Sequence, residues 1–163
     1  MFIFAAAFGT GEIGMSPLAT SIGFSLNAAA GFIGTRLHAR SGRGGWWMLG
    51  PAMCALSLVL FPAAFAFYAI LAFWGLSWWL AVPEIMRSIA SHTDAPDGRV
   101  GDAQAFMATG RAIGPLIGGF IITRADFTVL GILAFCIIAA AVVAIVAVEV
   151  RRIGQARGQI TMA

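Results

Sequence analysis

The sequence predicts an all-α fold, a polytopic bundle of transmembrane helices, and three observations carry that prediction. Hydrophobic residues make up 60% of the chain and charged residues 10%, with a mean hydropathy of +0.91. A soluble domain carries about 25% charged residues, so this chain lacks the polar surface to cover a globule in water. No charged residue occurs from Gly44 to Pro83, and uninterrupted apolar stretches are what a bilayer core requires. The basic residues are all arginine and collect between apolar runs. The lipid bilayer is therefore the expected partner. No aromatic-basic stripe accompanies the arginines, so nucleic acid is not.

The opening MFIFAAAFGT is apolar but too short to span, and it lacks the basic flank of a signal peptide. A signal remnant or a buried stub are readings of it; the expected one is the end of a truncated transmembrane helix over residues 1–10. PLATSIGFSLNAAAGFIGTRL, Pro17 to Leu37, is the first complete span. Within it Gly23, Asn27 and Gly31 share one face, with Ala30 and Gly34 beside them, because residues three and four apart align on a helix. In lipid, small residues let backbones approach. Asn27 thus faces protein, either as glue between helices or in a cavity wall.

As one helix, Gly44 to Pro83 would be about 60 Å long, twice the hydrocarbon thickness. It must fold back, and FPAAF around Pro62 is the reversal point. The resulting spans are Trp46 to Phe61 and Ala64 to Met86. Trp46 and Trp47 sit at a span end, as interface-belt residues do. Trp74 and Trp78, with Trp79, lie deeper; they pack, or they line an aromatic cavity for an apolar or cationic substrate.

RSIASHTDAPDGRVGD, Arg87 to Asp102, is the longest polar stretch and reads as an exposed loop in which Asp94, Asp97, Arg99 and Asp102 are solvated. A fourth span follows from Ala103 to Ile122, then a tight turn at TRAD, then a fifth span from Phe127 to Val148. The five spans make a bundle over residues 17–148, with a polar tail over 149–163.

The fourth span holds the least helix-like residues of the chain. Gly110, Gly114 and Gly118 recur every fourth residue along one face, next to Gly119. Pro115 removes the hydrogen bond that the Arg111 carbonyl would accept, so a bend is expected there. Arg111 itself lies about 12 Å into the span. A charge at that depth costs at least about 2.5 kcal/mol, so it must face the bundle interior or reach toward the surface. Glu84, near the end of the preceding span, is its expected partner in a structural ion pair; the functional alternative is contact with a substrate or coupling ion.

Placing the loop after the first span inside puts Arg36, Arg40, Arg43, Arg87, Arg99, Arg151, Arg152 and Arg157 on the cytoplasmic side, with Arg124 alone outside and Arg111 within a span. The C-terminus is then cytoplasmic. No paired carboxylates, nucleophile–base pair or metal-ligand spacing occurs, so neither an enzyme nor a cofactor is expected. His38 and His92 fall on different loops. Cys54 and Cys136 lie inside apolar runs and are expected to be small buried hydrophobes.

Gly101, Gly110, Gly114, Pro115, Gly118 and Gly119 match the pattern G-x8-G-x3-G-P-x2-G-G. The chain in this respect resembles the fifth helix of many major facilitator superfamily antiporters and, more loosely, the pseudo-symmetric eleventh. GFIGTRLHARSGR, with Gly31, Arg36 and Arg40, is similar to that superfamily's short cytoplasmic loop motif, although Thr35, His38 and Ala39 replace an acidic residue, a glycine and an arginine. The resemblance implies half of a major-facilitator fold. The short basic tail points to the C-terminal half, helices eight to twelve with the end of helix seven. By resemblance, a missing N-terminal helix bundle completes a secondary transporter of a small molecule, held near the midplane and exposed to each side in turn. A bacterial inner membrane is the expected location. Asn27, Trp74, Trp78, Glu84 and Arg111 are the candidates for the substrate cavity. A membrane scaffold or assembly subunit without transport is the alternative.

Overall fold

The computed structural model of the 163-residue chain describes residues 2–37, 44–91 and 96–160. They form an all-helical, multi-spanning membrane bundle. A short 3-10 turn, Phe2–Phe4, leads into α1, Ala5–Gly11; α2 is Pro17–Leu37, α3 Gly44–Trp47, α4 Leu49–Leu60, α5 Ala64–Ser91, α6 Pro96–Arg124 and α7 Phe127–Ile160. Four of these contain stretches long and apolar enough to cross a membrane: Pro17–Leu37, Ala64–Ser91, Gly98–Arg124 and Phe127–Ala147.

The connections follow local chemistry. After α1 the chain reverses through Gly14, whose φ of 73° is a left-handed conformation that glycine adopts without a Cβ penalty. Ser16 then caps α2, its Oγ accepting from Ala19 N at 3.2 Å, and Pro17 takes the first helical position, where a missing N–H costs nothing. The expected span from Pro17 to Leu37 coincides with α2. The reversal at Pro62 is also present, since Phe61, Pro62 and Ala63 are non-helical between α4 and α5. At the TRAD turn, Asp126 Oδ1 accepts from Val129 N at 2.9 Å and so caps α7.

Two expectations about the helices are corrected. The polar stretch from Arg87 to Asp102 is mostly helix: α5 runs on to Ser91 and α6 begins at Pro96. Polar side chains do not end a helix where water solvates them, and proline at the first turn opens one. Arg99 and Asp102 then lie one turn apart as an exposed ion pair at 3.8 Å. The span from Trp46 to Phe61 is interrupted at Met48, which divides α3 from α4. Pro51 supplies no N–H to the Trp47 carbonyl and its ring crowds that group, so the helix breaks there. His38, Ala39, Arg40, Arg43, His92 and Asp94 lie outside the described residues.

Membrane helices gain no hydrophobic driving force against one another and depend on close packing. α5 is the central helix, and its most extensive partner is α2. Thr20, Gly23, Gly31 and Gly34 are the buried residues of α2. A Cβ at Gly23 would press on Phe67 and Leu71, one at Gly31 on the Trp79 ring, and one at Gly34 would stand 2.7 Å from the Leu76 carbonyl oxygen. The α5 residues Phe67, Leu71, Gly75 and Trp79 recur every fourth position, so the two faces meet along their length. At the centre of the crossing Gly75 sits directly on the Asn27 backbone, leaving no room for a methyl group. A cluster of Ala5, Phe8, Met15, Leu58, Phe67 and Leu71 closes one end of the bundle. α7 packs mainly on α4, where Gly131 fits against Val59 and the Ala55 carbonyl. Cys54 is buried and its thiol reaches the Ile70 carbonyl at 3.4 Å, as a small core residue does. Cys136 is exposed on α7, contrary to the expectation of burial, because α7 turns that side away from α4.

α6 is packed differently. Only 6% of its apolar stretch is buried, against 39% for α5. Among its described residues Gly118 alone is buried, lodged against the Phe4 ring.

Candidate functional site

A cavity of about 640 Å³ opens where α2, α5 and α6 pass one another at mid-length. Its depth follows from its residues: Asn27 lies near the middle of α2, Trp74 and Trp78 near the middle of α5, and Arg111 near the middle of α6. The 3-10 turn at the N-terminus closes one wall with Phe2, Ile3 and Phe4. Phe2 packs on Trp74 with ring centroids 5.2 Å apart and edge-on to Phe24 at 5.5 Å.

Asn27 has a definite hydrogen bond. Its Nδ2 donates to the Leu71 carbonyl at 2.7 Å. The two sequence readings of this residue, glue and cavity wall, are thus both features of its placement. The bond is possible because Gly75 brings the α2 and α5 backbones together one turn from Leu71.

Arg111 projects into the same cavity and is exposed. It makes no ion pair among the described residues, so its expected pairing with Glu84 is not formed. Glu84 is taken by Arg87 instead, whose Nη2 donates to both carboxylate oxygens, at 2.7 Å to Oε2. The continuation of α5 to Ser91 explains this. It sets Arg87 three residues on from Glu84 on the same helix face, a spacing at which side chains meet. Glu84 does not line the cavity.

The glycines of α6 divide by role. Gly110 and Gly114 border the cavity with Pro115, and a Cβ at either would meet no atom within 4 Å. Gly118 makes the close contact with Phe4, while Gly119 has open space around it. The face that sequence reading expects to pack against a neighbour therefore faces a void along most of its length. Pro115 lies inside α6 without ending it. The Arg111 carbonyl consequently lacks its helical donor beside the cavity, at the residue whose side chain enters it.

Gly31 belongs to the α2–α5 contact, and Arg36 lies over the Phe32 ring at 5.1 Å, at the end of α2 away from the cavity. Trp79 lines the space beside Trp74 and Trp78, whereas sequence reasoning passes over the Phe2–Phe4 turn, Gly75 and Met107. The FWGLSWW run contains Gly75 and Trp79, and its glycine next to a tryptophan was a readable sign of a crossing point. Nothing in MFIF indicates which helices it will touch. No group of His, Cys, Asp and Glu among the described residues has the arrangement of a metal site.

Chemically the cavity offers flat aromatic surfaces, one amide and one guanidinium. Such a mixture, predominantly apolar with a few placed polar groups, is the usual make-up of a small-molecule site, and pockets of about 300–1,000 Å³ hold ligands of drug size. No protein-family model matches the chain, and no curated protein or solved structure matches it either. The chain is an integral membrane protein with an all-helical bundle.

Proposed function

We propose that this chain forms one helix bundle of a secondary transporter for a small organic molecule, working by alternating access. The observation that carries the reading is the mid-length cavity between α2, α5 and α6, with an arginine in its wall that is unpaired among the described residues. A charge held at mid-membrane is costly, and intramembrane charges mark substrate or ion pathways by default. α6 suits the moving part. It is lightly packed, carries glycines on the cavity side and contains a proline that releases one backbone hydrogen bond. Small shifts of α6 against α2 and α5 would widen or close the space around a bound molecule.

The glycine–proline resemblance to the major facilitator superfamily supports the same reading. A second bundle would find apolar surface on α6, where Phe106, Leu116 and Phe120 are exposed. The arginine distribution favours a cytoplasmic C-terminus, and a bacterial inner membrane is the proposed location. No residue is assigned a catalytic role.

A non-transporting scaffold is the second reading, and the weak packing of α6 is the observation that favours it, since an unpartnered helix suits assembly with another subunit. Reconstitution separates the two. The full-length gene product in vesicles is expected to catalyse counterflow of labelled small organic solutes, and Arg111→Ala is expected to abolish it with membrane insertion intact. Counterflow that persists in Arg111→Ala would make the arginine structural. An inserted, folded protein that moves no solute would favour the scaffold.

A further inference from the structure

Sequence reading of the tryptophans suggests an apolar or cationic substrate. The cavity points elsewhere. Among the described residues its lining contains no aspartate or glutamate, and the carboxylate nearest in sequence to the tryptophan run, Glu84, is held by both oxygens on Arg87. The one charge in the wall is the Arg111 guanidinium, which makes no ion pair or hydrogen bond with any described residue. The nearby amide of Asn27 has committed an N–H to the Leu71 carbonyl and leaves its oxygen over. A guanidinium carries five N–H donors in a planar fork and no acceptor, and it matches a carboxylate with two parallel bonds. In a low-dielectric wall an unpaired cation attracts an anion strongly and repels a second cation. The attraction of aromatic faces for a cation is the smaller effect beside a fixed like charge.

The rest of the wall selects the ligand's body. Trp74, Trp78 and Trp79 face the space with Phe2, and Met107 lines it from α6. These are broad, flat, apolar surfaces, and an indole carries an N–H donor and no acceptor.

We infer that the cavity takes an aromatic carboxylate, its carboxyl group on Arg111 and its ring system between the α5 tryptophans and the α6 wall. This assignment rests on the reading of the cavity as a ligand site given above. The neutralised charge also gives the ligand a role in transport: the occupied cavity carries no net charge at its centre, whereas the empty one does. Occupancy therefore lowers the electrostatic cost of burying Arg111 when the bundle closes.

Binding distinguishes the classes without requiring translocation. The purified full-length protein in lipid nanodiscs is titrated calorimetrically with naphthoate, naphthalenemethanol and naphthylmethylammonium, with empty nanodiscs subtracted. Naphthoate is expected to bind at least about tenfold tighter than the alcohol, the factor that about 1.4 kcal/mol of charge-assisted bonding provides. The ammonium probe is expected to bind weakest. Arg111→Gln should abolish the preference for naphthoate while keeping the affinity for the alcohol within about twofold. Arg111→Lys, which keeps the charge without the fork, should retain an anion preference smaller than that of the wild type. This second variant serves the test if the Gln protein does not insert. Equal or tighter binding of the ammonium probe, or a naphthoate preference undiminished in Arg111→Gln, would overturn the assignment. Vesicle flux separates it from the transport proposal: selective naphthoate binding without flux supports this ligand class and counts against transport, whereas flux of the ammonium probe alone supports transport and overturns the ligand class.

Discussion

Replacing Gly75 by alanine places a methyl group against the Asn27 backbone at the α2–α5 crossing. The added carbon would overlap the Asn27 carbonyl oxygen and stand 2.8 Å from its carbonyl carbon and 3.0 Å from Nδ2. Carbon atoms prefer about 3.5–4.0 Å, so the helices must separate by roughly 1 Å. Backbone atoms cannot rotate away, so the whole crossing moves. The shift loosens the contacts of Gly23, Gly31 and Gly34 and strains the 2.7 Å bond from Asn27 to the Leu71 carbonyl. Overpacking costs about 1–3 kcal/mol, and an interhelical side-chain hydrogen bond in a membrane averages about 0.6 kcal/mol. The sum is about 2–4 kcal/mol, from which the better helix propensity of alanine returns up to about 1 kcal/mol. Gly110→Ala is the matched control. It gains the same propensity, yet its methyl meets nothing within 4 Å. The two variants should therefore differ by about 2–4 kcal/mol in equilibrium unfolding by SDS in mixed micelles, followed by circular dichroism. A difference below about 0.5 kcal/mol, the range of an inconsequential substitution, would refute the close crossing.

Three further outcomes are expected. Asn27→Ala removes the bond to the Leu71 carbonyl and should lower stability in the same assay by about 0.6–1.7 kcal/mol; no loss would mean that water or another protein donor satisfies Leu71 equally well. Asp126→Ala deletes the cap on Val129 N and should cost about 1 kcal/mol, most of it restored by Asp126→Asn, as read by unfolding midpoint. A lipid-soluble organomercurial should modify Cys136 and spare Cys54 in the folded protein, giving one mercury per chain by mass spectrometry; two would contradict the burial of Cys54.

The span boundaries were legible wherever a local signal coincided with the hydrophobic pattern. Ser16 and Pro17 mark the start of α2, Pro62 the reversal before α5, and Asp126 the start of α7. Polarity misleads between Arg87 and Asp102, because it reports where water is and not where a helix stops. The break at Met48 was readable from Pro51 but is weak beside a long uncharged run. For the cavity, the costly or unusual residues Asn27, Trp74, Trp78 and Arg111 singled themselves out, and they line one space. The pairing of Glu84 with Arg87 follows from a helix longer than its apolar part, which composition does not reveal. The contribution of Phe2 and Phe4 depends on tertiary packing alone.

The shortness of the stretch formed by α3 and α4 has an effect beyond the protein. The apolar stretch Gly45–Leu60, made by α3 and α4 together, falls in the range of 10–17 residues, which at about 1.5 Å per residue is at most about 26 Å. The hydrocarbon of a typical bilayer is about 30 Å thick. Met53 and Leu60 are exposed on this helix, so lipid next to it must compress by several ångströms at a cost of fractions of a kcal/mol per ångström. The remaining spans have no such shortfall. One flank of the molecule is therefore expected to dimple the membrane, and longer acyl chains would tax that flank alone.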